Sequence, residues 1–296
     1  MSAAITLLDG GMGRELRRRG VPIPDTIWSA NALLVAPEVV RAVHDDFIAA
    51  GADVITANTY GIVPQALARE GLAERFEDLT REACAIARAA ADAAGRRVLV
   101  AGSLPPQGGS YRPDLVLPLA EIEPIYRAQA AAMAPFVDLV ICETMSSAAE
   151  ALAAATGAAA AGKPVWVSFT LHEDHSGALR SGESVAEAAA ALADLPVAAL
   201  LANCCPPESI TAAMPALGRP AGGYANAFRP VPEDWTLDGE GEGDGLIPLR
   251  DDLDPETYAA FAADWLAAGA SIVGGCCGIG PAHIARLRRL IDAPGR

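Results

Sequence analysis

The chain has 296 residues, of which 52% are hydrophobic and 20% are charged. These proportions are typical of globular proteins and exclude a disordered chain, whose composition is polar and strongly charged. The 37 acidic residues outnumber the 22 basic ones, which gives a net charge of −15. Because such a surface repels phosphate backbones and anionic lipid, we expect neither nucleic acid nor a membrane as a partner.

Apolar runs typical of buried parallel strands alternate along the chain with amphipathic stretches typical of helices. The predicted strands are Ile5–Asp9, Asp53–Asn58, Val98–Ser103, Leu139–Glu143, Val165–Phe169, Ala199–Cys204, Gly222–Asn226 and Ser271–Cys276. The predicted helices are Pro37–Ala50, Leu72–Ala94, Glu121–Ala134, Ala148–Ala161, Ser184–Ala193, Pro207–Leu217, Pro255–Ala268 and Pro281–Leu290. Eight β/α repeats predict an α/β protein, a single (β/α)8 TIM barrel over residues 1–296, rather than an open sheet with a Gly-rich phosphate loop.

One segment, residues 228–254, interrupts this alternation. It is acidic and contains four glycines between Gly239 and Gly245. We expect an irregular loop after the seventh strand that lies over the mouth of the barrel. A disordered surface insertion is the alternative, with equal weight.

The N-terminal residues and the cysteines indicate a cytoplasmic protein. Residues 1–11 contain neither the basic region nor the long apolar stretch of a secretion signal. The six cysteines include two adjacent pairs, Cys204 with Cys205 and Cys276 with Cys277. Adjacent cysteines make a poor disulfide framework and are usual where thiols stay reduced. They favour metal or thiolate chemistry.

The predicted strands end on polar residues and thiols, and active sites of this architecture lie at that end of the barrel. Cys204 ends the sixth predicted strand, whereas Cys276 and Cys277 end the eighth. Since strands two apart can aim side chains at a common point, we expect the three thiols to converge. Three thiolates suit Zn2+ and leave a fourth position for water or substrate, which is typical of a catalytic site. For Cys84 and Cys142 the prediction is burial as small hydrophobic residues.

The four histidines are not assigned to the thiol site. His44, within the first predicted helix, is expected at the surface or as a helix cap. His172 and His175 follow the fifth strand, where a position facing the barrel mouth and one in an ordinary acidic loop are both open. For His283, at the start of the last helix, one hypothesis is that it orients the loop that carries the cysteine pair.

Five short segments together carry a resemblance to a known family. They are Leu8-Asp9-Gly10-Gly11-Met12-Gly13, Gly51-Ala52-Asp53-Val54-Ile55, Cys142-Glu143-Thr144, Ala202-Asn203-Cys204 and Gly274-Gly275-Cys276-Cys277-Gly278. An Asn-Cys element upstream of Gly-Gly-Cys-Cys-Gly, behind an N-terminal Asp-Gly-Gly, resembles the homocysteine S-methyltransferases. These zinc barrels include betaine-homocysteine methyltransferase and the homocysteine-binding module of cobalamin-dependent methionine synthase.

The resemblance implies roles for particular residues of this chain. The zinc ligands, which are also the catalytic positions, are the thiols Cys204, Cys276 and Cys277. The acids that neutralise the ammonium group of the amino acid substrate are Asp9 and Glu143. The other substrate-binding positions are Trp28, Tyr60 and Asn203. Cys205 departs from the family pattern. Because adjacent strand residues point to opposite faces, we expect it to face away from the metal unless the strand has already ended.

The implied reaction is zinc-dependent transfer of a methyl group to the thiol of homocysteine, which gives methionine. Coordination to zinc deprotonates a thiol whose pKa is otherwise about 8.5. Since the chain has no room for a cobalamin or folate module, we expect a small sulfonium donor, S-methylmethionine or S-adenosylmethionine. Thr144 beside Glu143 disfavours betaine, because betaine-using relatives are similar to each other in carrying an aromatic residue there.

Other hypotheses remain open at this point. A betaine-dependent or other donor-dependent thiol or selenol methyltransferase would use the same centre. A non-enzymatic zinc-thiolate carrier or sensor needs a fourth protein ligand, for which Cys205 is the sequence candidate. A zinc-dependent lyase would need histidine and carboxylate ligands that the sequence does not place together.

Overall fold

The protein is described by a computed structural model over residues 4–218, 220–232, 235 and 247–293. These residues form eight parallel strands: β1 Thr6–Leu7, β2 Val54–Thr56, β3 Leu99–Leu104, β4 Leu139–Met145, β5 Val165–Phe169, β6 Val197–Asn203, β7 Ala221–Tyr224 and β8 Ile272–Val273. The strands pair in the order β1-β8-β7-β6-β5-β4-β3-β2. The sheet closes where β1 meets β2, since Leu8 bridges Val54 and the Asp53 amide donates to the Leu7 carbonyl at 2.7 Å. The predicted (β/α)8 TIM barrel is confirmed.

The described helices surround the strands. They are α1 Met12–Arg18, α2 Asn31–Val35, α3 Pro37–Ala49, α4 Pro64–Arg69, α5 Phe76–Asp92, α6 Leu119–Met133, α7 Ala148–Ala158, α8 Val185–Ala191, α9 Pro207–Ala213, α10 Pro255–Ala267 and α11 Pro281–Ile291. All eight predicted helices are present, and the short helices α1, α2 and α4 were not predicted. Two helices begin with a side-chain cap, since Ser184 forms a capping box with Glu187 at α8 and Asp254 accepts from the Thr257 amide at α10.

Several strands are shorter than predicted at the end that carries the functional residues. β6 ends at Asn203 because Cys204 has a left-handed backbone, with φ of 50°. β8 ends at Val273, so Cys276 and Cys277 lie in the loop that follows it. The loop stays attached to the barrel, since the Cys276 amide donates to the Ala225 carbonyl at 2.9 Å. The thiols therefore project from fixed loop backbone and not from the strands themselves.

The core has two layers. The larger cluster lies between the strands and the helices. The helices contribute many alanine side chains to it, which agrees with an aromatic content of 5%. A second cluster fills the barrel interior with alternate strand residues that include Leu8, Ile141, Leu201 and Tyr224. This interior is packed and forms the floor beneath the carboxyl ends of the strands, as expected for the architecture.

The predicted irregular loop, residues 228–254, lies partly outside the described residues, including its acidic stretch Glu240–Asp244. Its two flanks pair with each other, since Phe228 and Leu249 form an antiparallel bridge. Phe228 and Ile247 belong to an apolar cluster that also contains Cys204. The described flanks therefore reach the carboxyl end of the barrel. Within the described ranges no helix has the length and apolar character needed to cross a membrane.

Candidate active site

Three thiols meet above the carboxyl end of the barrel. Cys204 follows β6, and Cys276 and Cys277 follow β8, with β7 between these strands. Their three sulfur atoms lie within 4.8 Å of one another, and Sγ of Cys204 is 3.8 Å from Sγ of Cys277. Curvature of the closed sheet turns both loops inward. The structure thus brings together the three thiols that the sequence predicted would converge.

The thiol group fits a metal ion by both distance and charge. Tetrahedral coordination with a metal–sulfur bond of about 2.3 Å places neighbouring sulfurs about 3.8 Å apart, which matches the spacing of Cys204 and Cys277. Although burial opposes it, the pKa of Cys204 is lowered by hydrogen bonds from the other two thiols. Hydrogen bonding to Cys204 in turn raises the pKa of Cys276 and Cys277. Three thiolates in one buried group would therefore need a cation to offset their charge.

Cys205 lies outside this group. Its side chain is fully buried in the core between strands and helices, and burial raises its pKa above the usual range for a thiol. The metal-ligating group found among the described residues contains three thiols and does not include it. Cys205 therefore faces away from the other three thiols, although β6 has already ended at Asn203 and strand alternation does not account for it.

Glycines shape the loop after β8, which carries Cys276 and Cys277, and let it approach the loop after β1. A Cβ atom at Gly275 would lie 2.1 Å from Cγ2 of Ile279, and one at Gly11 would lie 2.7 Å from the Cys276 carbonyl oxygen. A side chain at Gly11 would push the thiol loop away from the loop after β1, whereas one at Gly275 would clash inside the thiol loop itself. Glycine is therefore required at Gly11 by packing between the two loops and at Gly275 by the tight turn that carries the cysteines.

Two buried acids line the same cavity as the thiols. Asp9 follows β1, and its carboxylate accepts hydrogen bonds from Thr56, at 2.8 Å from the amide and 3.0 Å from the hydroxyl. Glu143, on β4, accepts from the Ser103 hydroxyl and from the Tyr224 hydroxyl at 3.3 Å. Burial raises the pKa of both acids to about 7, and repulsion from Glu143 contributes at Asp9. A buried cation such as an ammonium group would stabilise their charged forms.

The predicted aromatic residues also line the cavity. The rings of Trp28 and Tyr60 meet edge to face with centroids 6.0 Å apart, and the Tyr60 hydroxyl lies 2.7 Å from Oγ of Ser110. Phe228 and Trp235, from the described flank of the irregular loop, extend this wall. The cavity therefore joins an aromatic wall to an acidic side and a thiol group.

Asn203 takes a different position from these residues. It is fully buried and is not among the residues that line the cavity. Its side-chain oxygen accepts from the Thr144 amide at 2.8 Å, and its nitrogen donates to the Thr144 hydroxyl at 3.0 Å. The same nitrogen lies 3.9 Å from Sγ of Cys276. Asn203 thus fixes the turn after Glu143 and one thiol.

Two further cavity residues were missed from the sequence. The Tyr111 hydroxyl lies 3.0 Å from Sγ of Cys204, a contact across 93 residues that no local pattern indicates. Arg14, on α1, lines the cavity with its guanidinium carbon 5.4 Å from the centre of the Phe228 ring. A signal existed for Arg14, because it directly follows the Gly-rich turn after the first predicted strand.

The histidines lie outside the thiol group. The expectation for His44 was wrong, because it is fully buried, neither ring nitrogen has a partner among the described residues, and burial lowers its pKa to about 3. His283 accepts from the Gly280 amide at 3.3 Å and contacts the Leu253 carbonyl at 3.1 Å, so it does orient the loop after Cys277. Nδ1 of His172 accepts from the Asp174 amide at 3.3 Å, and His172 does not line the cavity.

Comparison with known proteins agrees with this site. The model of the homocysteine S-methyltransferase family matches residues 6–291. Homocysteine S-methyltransferase of Escherichia coli is 34% identical over 309 residues, covering 96% of this chain and 94% of the relative. A selenocysteine Se-methyltransferase of Brassica oleracea is 28% identical, with 97% and 89% covered. The crystal structure of the E. coli homocysteine methyltransferase MmuM in its metallated form superposes with a TM-score of 0.80 at 32% identity, covering 97% of this chain and 96% of that one. The chain belongs to the homocysteine S-methyltransferase family.

Proposed function

We propose that the protein transfers a methyl group from a sulfonium donor, S-methylmethionine or S-adenosylmethionine, to the thiol of homocysteine, producing methionine. The observation that carries this proposal is the group of three thiols, with sulfurs within 4.8 Å, in the wall of a cavity that also contains two buried acids. A three-thiolate site leaves room for a fourth, exogenous ligand, and a thiol of the substrate is a suitable one.

Cys204, Cys276 and Cys277 would hold the metal, for which we propose Zn2+. When bound, zinc would lower the pKa of the acceptor thiol, so that the thiol is ionised and nucleophilic at neutral pH. The sulfur ligands suit zinc better than magnesium or calcium, which prefer oxygen. The thiols come from two loops that are fixed to the barrel backbone, so their geometry is set before the ion binds.

The acceptor is oriented by its charged end. Asp9 and Glu143 would bind the ammonium group, since each is buried and each holds a carboxylate that lacks a cationic partner in the described cavity wall. Thr56 and Ser103 hold these carboxylates in place by hydrogen bonds. With the ammonium group fixed, the side chain of homocysteine is directed towards the three thiols.

The aromatic wall suits a sulfonium donor. A sulfonium carries its positive charge beside the methyl group that moves, and the aromatic rings of Trp28 and Tyr60 can attract that charge. The donor loses its charge in the transfer, so the product is released as the attraction weakens. Because the leaving group is neutral, the reaction needs no general acid at the donor.

The other hypotheses have less support. A zinc carrier or sensor would require a fourth protein ligand, and Cys205 is turned into the core. A lyase would require histidine and carboxylate ligands, whereas the metal-ligating group within the described ranges consists of cysteines. The Brassica relative is named for selenocysteine, so selenocysteine and selenohomocysteine are selenol acceptors to include in an assay.

A donor panel tests the proposal. Zinc-loaded protein is incubated with homocysteine and one of four donors, and methionine is quantified by mass spectrometry. We expect turnover with S-methylmethionine, less with S-adenosylmethionine, and little with betaine or methyltetrahydrofolate. Cys276→Ala serves as the metal-deficient control. Betaine as the best donor, or a requirement for added cobalamin, would refute the donor assignment, and no methionine from any donor would refute the function.

A further inference from the structure

Tyr111 contacts one of the three thiols directly. It lies in the loop after β3, its side chain is 5% exposed, and its backbone is left-handed with φ of 66°. Its hydroxyl is 3.0 Å from Sγ of Cys204. A thiolate can only accept a hydrogen bond, so the phenol is the donor in this contact once Cys204 is ionised.

The face of the Tyr111 ring is covered by a buried cation. The guanidinium carbon of Arg180 lies 4.7 Å from the ring centre, and the Trp235 ring lies 5.4 Å away on centroids. The Arg180 side chain is 5% exposed and pairs with Glu173, which is 15% exposed. A cation over an aromatic ring withdraws electron density from it, which makes a phenol a stronger hydrogen-bond donor.

The same loop fixes both Arg180 and Cys204. After β5 the chain turns back, and the Arg180 amide donates to the Thr170 carbonyl at 3.3 Å. The Thr170 hydroxyl donates to the Cys204 carbonyl at 3.2 Å. Arg180, Tyr111 and Cys204 therefore form one connected unit. The contact that Asn203 makes with Cys276 is longer, at 3.9 Å, so Cys204 is the sulfur with the strong donor.

We propose that Tyr111 is a positioning residue of the metal centre, whose hydroxyl donates to the Cys204 thiolate and is strengthened by Arg180. The hydrogen bond draws negative charge away from the sulfur, so the ion keeps more positive charge and binds the acceptor thiol more tightly. Hydrogen bonds to ligand sulfurs tune the metal in other thiolate centres. This inference rests on the metal centre of the proposed function.

Stability alone gives a poor account of this arrangement. Burying the ion pair of Arg180 and Glu173 costs desolvation, and apolar side chains of similar volume would often be as stable. A phenylalanine at position 111 would fill the same space under Arg180. The hydroxyl adds one contact, and that contact is made with a sulfur of the thiol group.

The test compares Tyr111→Phe with wild type after replacement of the metal by Co2+, whose thiolate charge-transfer band reports the charge on sulfur. We expect the band to move to longer wavelength in the variant, because the sulfur keeps more negative charge. Zinc affinity at neutral pH, measured by chelator competition, should fall about 10- to 100-fold, because ionised Cys204 loses the donor that stabilises its buried charge. The KM for homocysteine should rise while the KM for the donor stays the same. Tyr126→Phe, which removes a hydroxyl on α6 away from the cavity, is the matched control and should change none of these.

A second variant examines Arg180 without leaving a buried charge unpaired. Arg180→Met combined with Glu173→Gln removes both charges, and we expect a smaller band shift in the same direction. Added to Tyr111→Phe, the pair should cause no further shift, because the charge acts through the phenol. If the band shifts of Tyr111→Phe and of the paired variant added together, the charge of Arg180 would not act through the Tyr111 hydroxyl.

The outcomes separate this inference from the function itself. An unchanged band and unchanged zinc affinity in Tyr111→Phe, with a thiolate band present in wild type, would overturn the inference and leave the function standing. Absence of a thiolate band in wild-type protein would overturn both. A shifted band in a protein that makes no methionine would support the inference and refute the function.

Discussion

Replacing Glu143 by glutamine gives the sharpest test of the acceptor site. Glu143 lines the cavity, is 8% exposed, and has its pKa raised to about 7 by burial. A charge-assisted hydrogen bond to a substrate ammonium in such a site contributes about 1.5–3 kcal/mol. Glutamine keeps the size of the side chain and can still accept from Ser103, but it has no charge. We therefore expect homocysteine affinity to fall about 10- to 100-fold, with zinc content unchanged.

The pH dependence of binding follows from the same pKa. Only the ionised acid attracts an ammonium group, so affinity rises as the pH passes upward through about 7. A single carboxyl of that pKa goes from about one-tenth to about nine-tenths ionised between about pH 6 and 8, which predicts roughly a tenfold gain. Because the acceptor thiol also loses a proton at the metal, the test uses norvaline, which has a methyl group in place of the thiol.

Isothermal titration of norvaline and homocysteine into zinc-loaded protein at several pH values measures both effects. Glu150→Gln is the matched control. Glu150 is an acid of similar burial with a pKa of about 7, but it accepts from Ser146 and does not line the cavity. If norvaline affinity were independent of pH, or if Glu143→Gln bound homocysteine within twofold of wild type, Glu143 would not be the ammonium ligand.

Three further predictions concern the metal, the donor and stability. Alanine at any one of the three clustered thiols, for example Cys276→Ala, should abolish zinc binding, measured by elemental analysis, and activity, measured in the methyl-transfer assay. The control Cys84→Ala should retain both. Full zinc occupancy in Cys276→Ala would refute the metal site. Trp28→Ala should raise the KM of the donor more than that of homocysteine in steady-state kinetics, and the reverse pattern would place Trp28 at the acceptor. As the pH rises from about 5 to about 7, the free energy of unfolding of the metal-free protein in urea should fall. The reason is that buried acids with a pKa near 7 in the folded state and near 4 when unfolded bind protons more tightly when folded, which stabilises the folded state at the lower pH. A free energy of unfolding that increases as the pH rises over this range would contradict those values. These acids are Asp9, Glu143 and Glu150.

The barrel was predictable because the alternation of apolar runs and amphipathic stretches extends along most of the chain. The missed helix α1 shows the limit of that approach. Its first turn contains Met12 and Gly13 after two glycines, a composition that indicates a turn. A Cβ at Gly13 would lie 2.8 Å from the Trp28 ring, so glycine is needed for a contact with a distant residue. The helix propensities of these residues therefore did not indicate α1. The glycine in its first turn is required by packing against Trp28, a contact that the local sequence does not show.

Sequence patterns located the thiols and the acids but missed Tyr111 and Arg180. The cysteines and Asp9 lie at the ends of predicted strands, and in this architecture functional residues lie at the carboxyl ends of the strands. Tyr111 lies in a loop well after β3, and Arg180 lies in one well after β5, so neither has a fixed offset from a strand. Their position depends on how two loops fold over the barrel, which no spacing in one chain specifies.

The backbone conformation of residues around the cavity shows why the loops could not be predicted from the sequence. Of the five non-glycine residues with left-handed φ in the described chain, four line the cavity: Trp28, Tyr111, Thr144 and Cys204. Such conformations cost of order 1–3 kcal/mol each and persist only where surrounding contacts impose them.

Those contacts come from other parts of the barrel. Thr144 is held by the side chain of Asn203, 59 residues away, and Tyr111 is held under Arg180. Cys204 has its carbonyl bound by Thr170 and its sulfur bound by Tyr111. Because each strained residue depends on partners from another loop, the direction of the Cys204 thiol is a property of the closed barrel. A change that loosens one of these loops should therefore alter the metal centre before it unfolds the strands beneath it.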